Sequence, residues 1–245
     1  MNLALIVAAG KGKRMGNKRG KQFLPLLDKP VLAHTLISFE QAVSVDEVIV
    51  ITTEENLDKC RSVVDKYNAS KVSKVVVGGK ERQDSVYQGL VTAGDIKGVD
   101  VVMVHDGARP LVDPDLINRV AGGLVDCDGA IAGIPAKDTI KLVKDDFIVE
   151  TLDRMQTWQI QTPQAFHFET LLCAHEKAKS EGFYGTDDSV LVERIGGRVK
   201  VVLGSEENIK ITTPADLIIA EAILKSRVLA PGIENRQKVT GKWKE

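Results

Sequence analysis

Aromatic side chains are scarce in this sequence: Phe, Tyr and Trp together make up 4% of 245 residues. Trp158 and Trp243 stand alone, so there is no platform on which nucleic-acid bases could stack. Net charge is nearly absent too, at −1 from 33 Lys+Arg against 34 Asp+Glu. A bulk polyanion or membrane-surface binder is thereby excluded, and any anion site must be local. Cys60, Cys127 and Cys173 form no C-x-x-C pair, which excludes a disulfide framework and predicts a reducing, cytoplasmic location. No apolar run nears the roughly 20 residues of a membrane span. The first apolar run lacks the basic flank and cleavage site of a signal peptide. His34, His105, His167 and His175 show no H-E-x-x-H spacing and are expected to be structural. Neither a Ser/His/Asp arrangement nor any internal repeat is visible.

What remains is an ordinary globular composition, 43% hydrophobic and 27% charged, with a mean hydropathy of −0.06 and enough length to bury a sizeable core. Short β-branched runs at Leu3–Ala9, Glu47–Thr53, Lys74–Val77, Asp100–His105 and Gly129–Ile134 predict strands buried on both faces. Helical patterns fall between them, at Pro30–Ala42, Glu54–Tyr67, Asp84–Ala93 and Pro114–Val125. Thr52 with Glu55 fits a capping box, and Asp113-Pro114 and Thr213-Pro214 read as helix starts. The alternation predicts an α/β fold: a Rossmann-like, mostly parallel twisted sheet with helices on both faces, in a single domain over residues 1–227.

The rhythm breaks over residues 136–163. Thr139–Val143 and Phe147–Leu152 flank the polar turn Lys144-Asp145-Asp146 and predict a projecting β-hairpin arm. An isolated hairpin is only marginally stable, so a second copy of the chain is expected to cover it, making a homodimer. Helices are expected near Phe168–Glu181, Asp187–Ile195 and Pro214–Arg227, and a strand at Arg198–Leu203. Residues 228–245 are polar and without periodicity, which predicts a flexible tail.

Residues 3–16, LALIVAAGKGKRMG, carry the chemistry. A buried strand runs into small residues and then into glycines alternating with cations. Ligands of open α/β sheets lie at the carboxyl ends of the strands, and a glycine-rich turn there offers backbone N–H groups to phosphate. Lys11, Lys13, Arg14, Lys18, Arg19 and Lys21 add charge with no acid among them. The spacing fits neither G-x-x-x-x-G-K-[ST] nor a complete G-x-G-x-x-G.

Ala8-Ala9-Gly10-Lys11-Gly12-Lys13-Arg14-Met15, followed by Lys21-Gln22, resembles the signature of sugar nucleotidyltransferases. Further matches follow in order: residues 79–86 (GKERQDSV), 105–110 (HDGARP), 138–141 (DTIK), Asp153-Arg154, 161–164 (QTPQ), 186–188 (TDD) and 208–212 (NIKIT). Together, over roughly residues 2–226, they resemble the 2-C-methyl-D-erythritol 4-phosphate cytidylyltransferase family. The resemblance implies transfer of a cytidylyl group from CTP to a polyol phosphate, with Mg²⁺ or another divalent cation. It implies Arg14 and Lys21 as catalytic cations on the phosphates. It places Ala8, Ala9, Gly10, Gly12, Gly79 and Ser85 around the nucleotide, and Asp106, Arg109, Thr139, Arg154, Thr186 and Lys210 around the acceptor. In that family the arm reaches into the partner's active site. Asp106 could also approach the metal, although related enzymes carry a late metal-binding aspartate where Lys210 stands here. Lys80 replaces an aspartate common in the family.

A phosphate-monoester acceptor is mostly dianionic at pH 7, its second pKa being about 6, and needs no general base. Three other readings stay open on sequence. A ribitol or ribulose 5-phosphate cytidylyltransferase shares nearly every motif. A NAD-dependent dehydrogenase would need the missing third glycine. A nucleotide-binding regulator would bind CTP without turnover.

Overall fold

The computed structural model describes residues 1–10 and 20–229. Gly12 and Arg14 therefore lie outside the described residues, as does the expected tail of residues 228–245 apart from residues 228 and 229, which are helical. The chain begins with β1 (Asn2–Val7) and a small two-stranded sheet of β2 (Pro25–Leu26) and β3 (Lys29–Pro30), then α1 (Val31–Gln41) and β4 (Glu47–Thr52). There follow α2 (Leu57–Lys66), β5 (Val72–Val77), α3 (Arg82–Gly94), β6 (Val101–Asp106), α4 (Pro114–Ala121) and β7 (Gly129–Pro135). The last part holds β8 (Lys141–Lys144), β9 (Phe147–Thr151), β10 (Trp158–His167), α5 (Phe168–Glu181), α6 (Ser189–Arg194), β11 (Val199–Leu203) and α7 (Pro214–Leu229).

Seven strands form one sheet in the order β11-β7-β10-β6-β1-β4-β5. Every pairing is parallel except those of β10, which runs antiparallel between β6 and β7. One face packs on α1, α2 and α4 through Leu36, Phe39, Val50, Met103 and Ile117. The other packs on α3, α5 and α6 through Leu5, Ile51, Leu90, Phe166 and Leu171. A third cluster seats α7 against β2 and Leu111. Fully burying a side chain such as Phe166 stabilises the fold by roughly 1.5–3 kcal/mol.

Local chemistry sets the boundaries. Asp113 caps α4 by accepting from the Leu116 N–H at 2.6 Å, with Pro114 in the first turn. That helix stops at Ala121 rather than Val125 because Gly122 and Gly123 follow it. The capping box expected at Thr52 and Glu55 does not form. Thr52 is the buried last residue of β4, paired with Val77, so its side chain cannot cap. A capping box forms instead at α3, between Glu81 and Asp84.

Two further expectations need correction. The β5 strand is partly open, not buried on both faces, because it forms the sheet edge. The segment from Trp158 is a strand of the central sheet, whereas sequence assigned residues up to 163 to the arm. Pro163 and three glutamines hide the strand pattern, and the register slips between Ile160 and Gln164 where the proline falls. The hairpin itself, β8 with β9, is a separate two-stranded sheet whose strand residues are all exposed. Among the described residues, no helix is long and apolar enough to cross a membrane.

Candidate active site

The carboxyl ends of β1 and β6 open into a cleft of about 480 Å3, closed on one side by the first turn of α3. Ala8 and Ala9 continue β1 into it, and the Ala8 N–H donates to the Ile51 carbonyl at 2.7 Å. Gln22, nearly fully buried, donates from Nε2 to the Ala8 carbonyl at 2.7 Å and fixes this strand end. Lys21 lines the same cleft and donates to the Ile211 carbonyl at 2.8 Å.

Gly78 and Gly79 lead into α3 from the opposite wall. A Cβ on Gly79 would lie 2.2 Å from the Asp84 Cβ, so only glycine lets the loop close onto the capping box. The Gly79 N–H donates to Ser85 Oγ at 3.1 Å, and that hydroxyl donates to the Glu81 carbonyl at 3.0 Å. Ser85 thus braces the loop as well as lining the cleft.

Asp106, the last residue of β6 and 6% exposed, is the hub. Arg82 Nε donates to Oδ1 at 3.0 Å, Lys210 Nζ meets Oδ2 at 2.6 Å, and Arg109 Nε stands 4.0 Å from Oδ2. Burial alone would raise the Asp106 carboxyl, but Arg82, Lys210 and Arg109 together hold it well below the usual carboxylate range. Arg82 also donates from Nη1 to Asp188 Oδ2 at 2.7 Å, and His175 Nε2 contacts Asp188 Oδ1 at 3.2 Å. Burial opposes the Asp188 charge as well, and Arg82 and His175 overcome it, keeping the carboxyl below its ordinary value. Arg82 stays protonated between the two: burial pulls its pKa down, and the carboxylates more than offset that.

Behind the hub the hydrogen bonds form a directed chain. The Asp106 N–H donates to Thr162 Oγ1 at 3.0 Å, which contacts His105 Nδ1 at 3.2 Å, while His105 Nε2 reaches the Arg109 carbonyl at 3.3 Å. Burial, with the Arg109 and Arg82 charges, lowers the imidazole to about 3 despite Asp106, so His105 is neutral at pH 7. A neutral ring that donates from Nε2 accepts the Thr162 hydroxyl at Nδ1, and every link is satisfied.

The structure brings Ala8, Ala9, Gly10, Lys21, Gly79, Ser85, Asp106 and Lys210 to one cleft. Arg109 stands beside it, donating from Nη1 to the Asn208 carbonyl at 2.7 Å. Thr186 lines an adjoining cleft of about 420 Å3 that shares Lys80, Glu81 and Arg82 with the first. Thr139 and Arg154 line neither cleft; both are exposed, at the two ends of the hairpin. Sequence reasoning missed Arg82 as a site residue, along with its anchors Asp188 and His175, and Gln22. Arg82 sits inside a quoted motif, but nothing in that motif names carboxylates distant in the chain.

Among the described residues no three His, Cys, Asp or Glu side chains converge as a metal centre. Both Asp106 oxygens already face cations. These residues do not fit a divalent ion held chiefly by the protein.

Comparison with known proteins agrees with this architecture. Residues 2–226 match the profile of the family described as 2-C-methyl-D-erythritol 4-phosphate cytidylyltransferase (IspD). A protein of that name from Syntrophotalea carbinolica is 49% identical over 221 residues, covering 90% of this chain and 94% of the relative. Another from Geotalea uraniireducens is 49% identical over 224 residues, covering 91% and 96%. The crystal structure of 4-diphosphocytidyl-2C-methyl-D-erythritol synthase from Anaerococcus prevotii superposes with a TM-score of 0.82 at 32% identity, covering 92% and 96% of the two chains. That of the Thermus thermophilus cytidylyltransferase gives 0.75 at 28% identity, covering 92% and 100%. With its glycine-and-cation sequence after β1 and its cation-ringed Asp106, the chain belongs to the 2-C-methyl-D-erythritol 4-phosphate cytidylyltransferase family.

Proposed function

We propose that the protein transfers the cytidylyl group of CTP to 2-C-methyl-D-erythritol 4-phosphate, giving CDP-methylerythritol and pyrophosphate in the non-mevalonate isoprenoid pathway. The carrying observation is a cleft at the carboxyl ends of parallel strands, lined by Lys21, where Arg82, Arg109 and Lys210 gather around Asp106. A phosphate oxygen of the acceptor attacks the α-phosphorus of CTP. The new P–O bond forms as the bond to the β-phosphate oxygen breaks, and pyrophosphate leaves with its electron pair. No proton has to be removed from a dianionic nucleophile.

The task left to the protein is charge. Negative charge builds on the equatorial and leaving oxygens, and cations fixed beforehand stabilise it without reorganising. Lys21 from the cleft, with Arg14 from the sequence before it, is assigned to the triphosphate, each worth about 3 kcal/mol in the transition state. Ala8, Ala9, Gly10 and Gly12 give the nucleotide close access to main chain, with Gly79 and Ser85 on the base side. Asp106 takes substrate hydroxyls, while Arg109, Lys210 and Thr186 face the acceptor. Mg²⁺ enters as part of the substrate, carried on the triphosphate oxygens.

Thr139 and Arg154 complete the acceptor site from a second copy of the chain. The exposed apolar hairpin supports a homodimer in which each arm lies against the partner. Three free thiols suit the reducing cytoplasm. Pyrophosphate release, measured with CTP and each of methylerythritol 4-phosphate, ribitol 5-phosphate and ribulose 5-phosphate, tests the assignment. Turnover with the first is expected. Preference for a pentose-derived acceptor, or tight CTP binding with no turnover, would refute it.

A further inference from the structure

Asp188 and His175 lie outside every role assigned above, yet each is 1% exposed and polar. Such residues are expensive to bury unless they are paired. Their pairing runs in one direction. His175 Nδ1 has no hydrogen-bond partner, so the ring engages Asp188 through Nε2 alone. Asp188 then offers Oδ2 to Arg82 Nη1, and Arg82 places its Nε on Asp106 Oδ1. The guanidinium is therefore held at both ends, between the Asp188 carboxylate and that of Asp106. Asp106 is left with Oδ1 pinned and Oδ2 toward Lys210, whose side chain is partly exposed and free to exchange this contact for substrate.

The adjacent residue holds the same loop. Gln83 donates from Nε2 to the Phe183 carbonyl at 2.9 Å and accepts from the Gly185 N–H at 2.9 Å. The first turn of α3 thus ties the nucleotide wall, through Gly79 and Ser85, to the loop that carries Thr186. We propose that Asp188 and His175 are positioning residues for the transfer: acting through Arg82, they orient the Asp106 carboxylate so that its Oδ2 edge meets the acceptor.

This inference rests on the transfer reaction proposed above, and charge rather than shape is its signature. Asp188→Asn keeps the shape and removes the charge. Asp188→Glu keeps the charge and adds one methylene beside an open cleft. The Asn variant is expected to lose about tenfold in acceptor kcat/KM, as for loss of a charge-assisted bond, with CTP affinity unchanged. The Glu variant should retain most of its activity. A packing role predicts the reverse order, and that order would overturn the proposal. Should Asp188→Asn not fold, Arg82→Lys asks the same question: a lysine cannot span both carboxylates, so an unchanged acceptor kcat/KM would overturn it. Crystal structures of the Asp188 variants give a readout independent of turnover. The Arg82–Asp106 contact should persist with Glu and be lost with Asn; an intact contact in both overturns the positioning role. A parent protein that releases no pyrophosphate would refute the reaction alone, leaving these structures to decide the positioning.

Discussion

The Asp106 hub and the β8–β9 hairpin are opposite solutions to the cost of exposed chemistry. At the hub, both carboxylate oxygens are engaged by cations and the backbone N–H is bonded to Thr162. On the hairpin, Phe147 is 78% and Ile148 64% exposed, although burying such side chains is what normally stabilises a two-stranded sheet. The hub is built by a single chain and needs nothing further to hold its geometry. The hairpin offers apolar surface that its own chain leaves uncovered, and Thr139 and Arg154, which we propose contact the acceptor, flank it. The fixed charges around Asp106 are thus preorganised within one chain, whereas under the function proposed above a partner's arm completes the acceptor site.

The difference can be broken first on the side of the cleft. Replacing Lys21 by Ala should cost about 10²–10³ in kcat, the loss typical of one donor to developing oxyanion charge, measured by pyrophosphate release with unfolding temperature as control. A smaller loss belongs to the arm. Arg154→Ala should lower acceptor kcat/KM by roughly tenfold or more while leaving CTP affinity unchanged, as expected if it holds the acceptor phosphate. Phe147→Asp combined with Ile148→Asp should shift sedimentation from dimer to monomer. Substitutions at exposed positions away from special features usually move intrinsic stability by only about ±0.5 kcal/mol.

A further effect is a pH dependence of the hub. His105 has its folded pKa depressed to about 3 from an ordinary 6.5. Between those values the unfolded chain binds a proton that the native chain does not, so stability is complete above about pH 6.5 and falls as pH drops toward 3. The slope is about 1.4 kcal/mol per pH unit for one such group. Asp106 acts in the same sense at lower pH: its depressed pKa contributes stability that is full above the unfolded carboxylate value and is lost below it. Denaturant unfolding across pH 7 to 4 should show the His105 slope, and His105→Gln should flatten it.

Most of the sheet was legible because buried parallel strands are apolar runs punctuated by caps and glycines, and such signals are local. The α5 helix was expected at Phe168–Glu181 and lies there. The antiparallel β10 was not legible, since Pro163 and its neighbouring glutamines deny it an alternating pattern, and its pairing depends on strands more than 20 residues away. The site divides in the same way. Composition alone draws attention to residues 8–21, and of that stretch Ala8, Ala9, Gly10 and Lys21 line the cleft. Arg82 meets Asp106 across 24 residues and Asp188 across 106, so no spacing rule could have named the hub.

Mixing two impaired proteins, each assayed alone for its residual activity, tests this division most directly. Arg154→Ala keeps an intact cleft and Lys21→Ala keeps an intact arm. After subunit exchange at equal concentrations, half the dimers are mixed, and each holds one complete site. Recovery of about a quarter of the parental activity is therefore expected. No recovery, with exchange demonstrated, would mean that one chain supplies its own arm residues and would contradict the account.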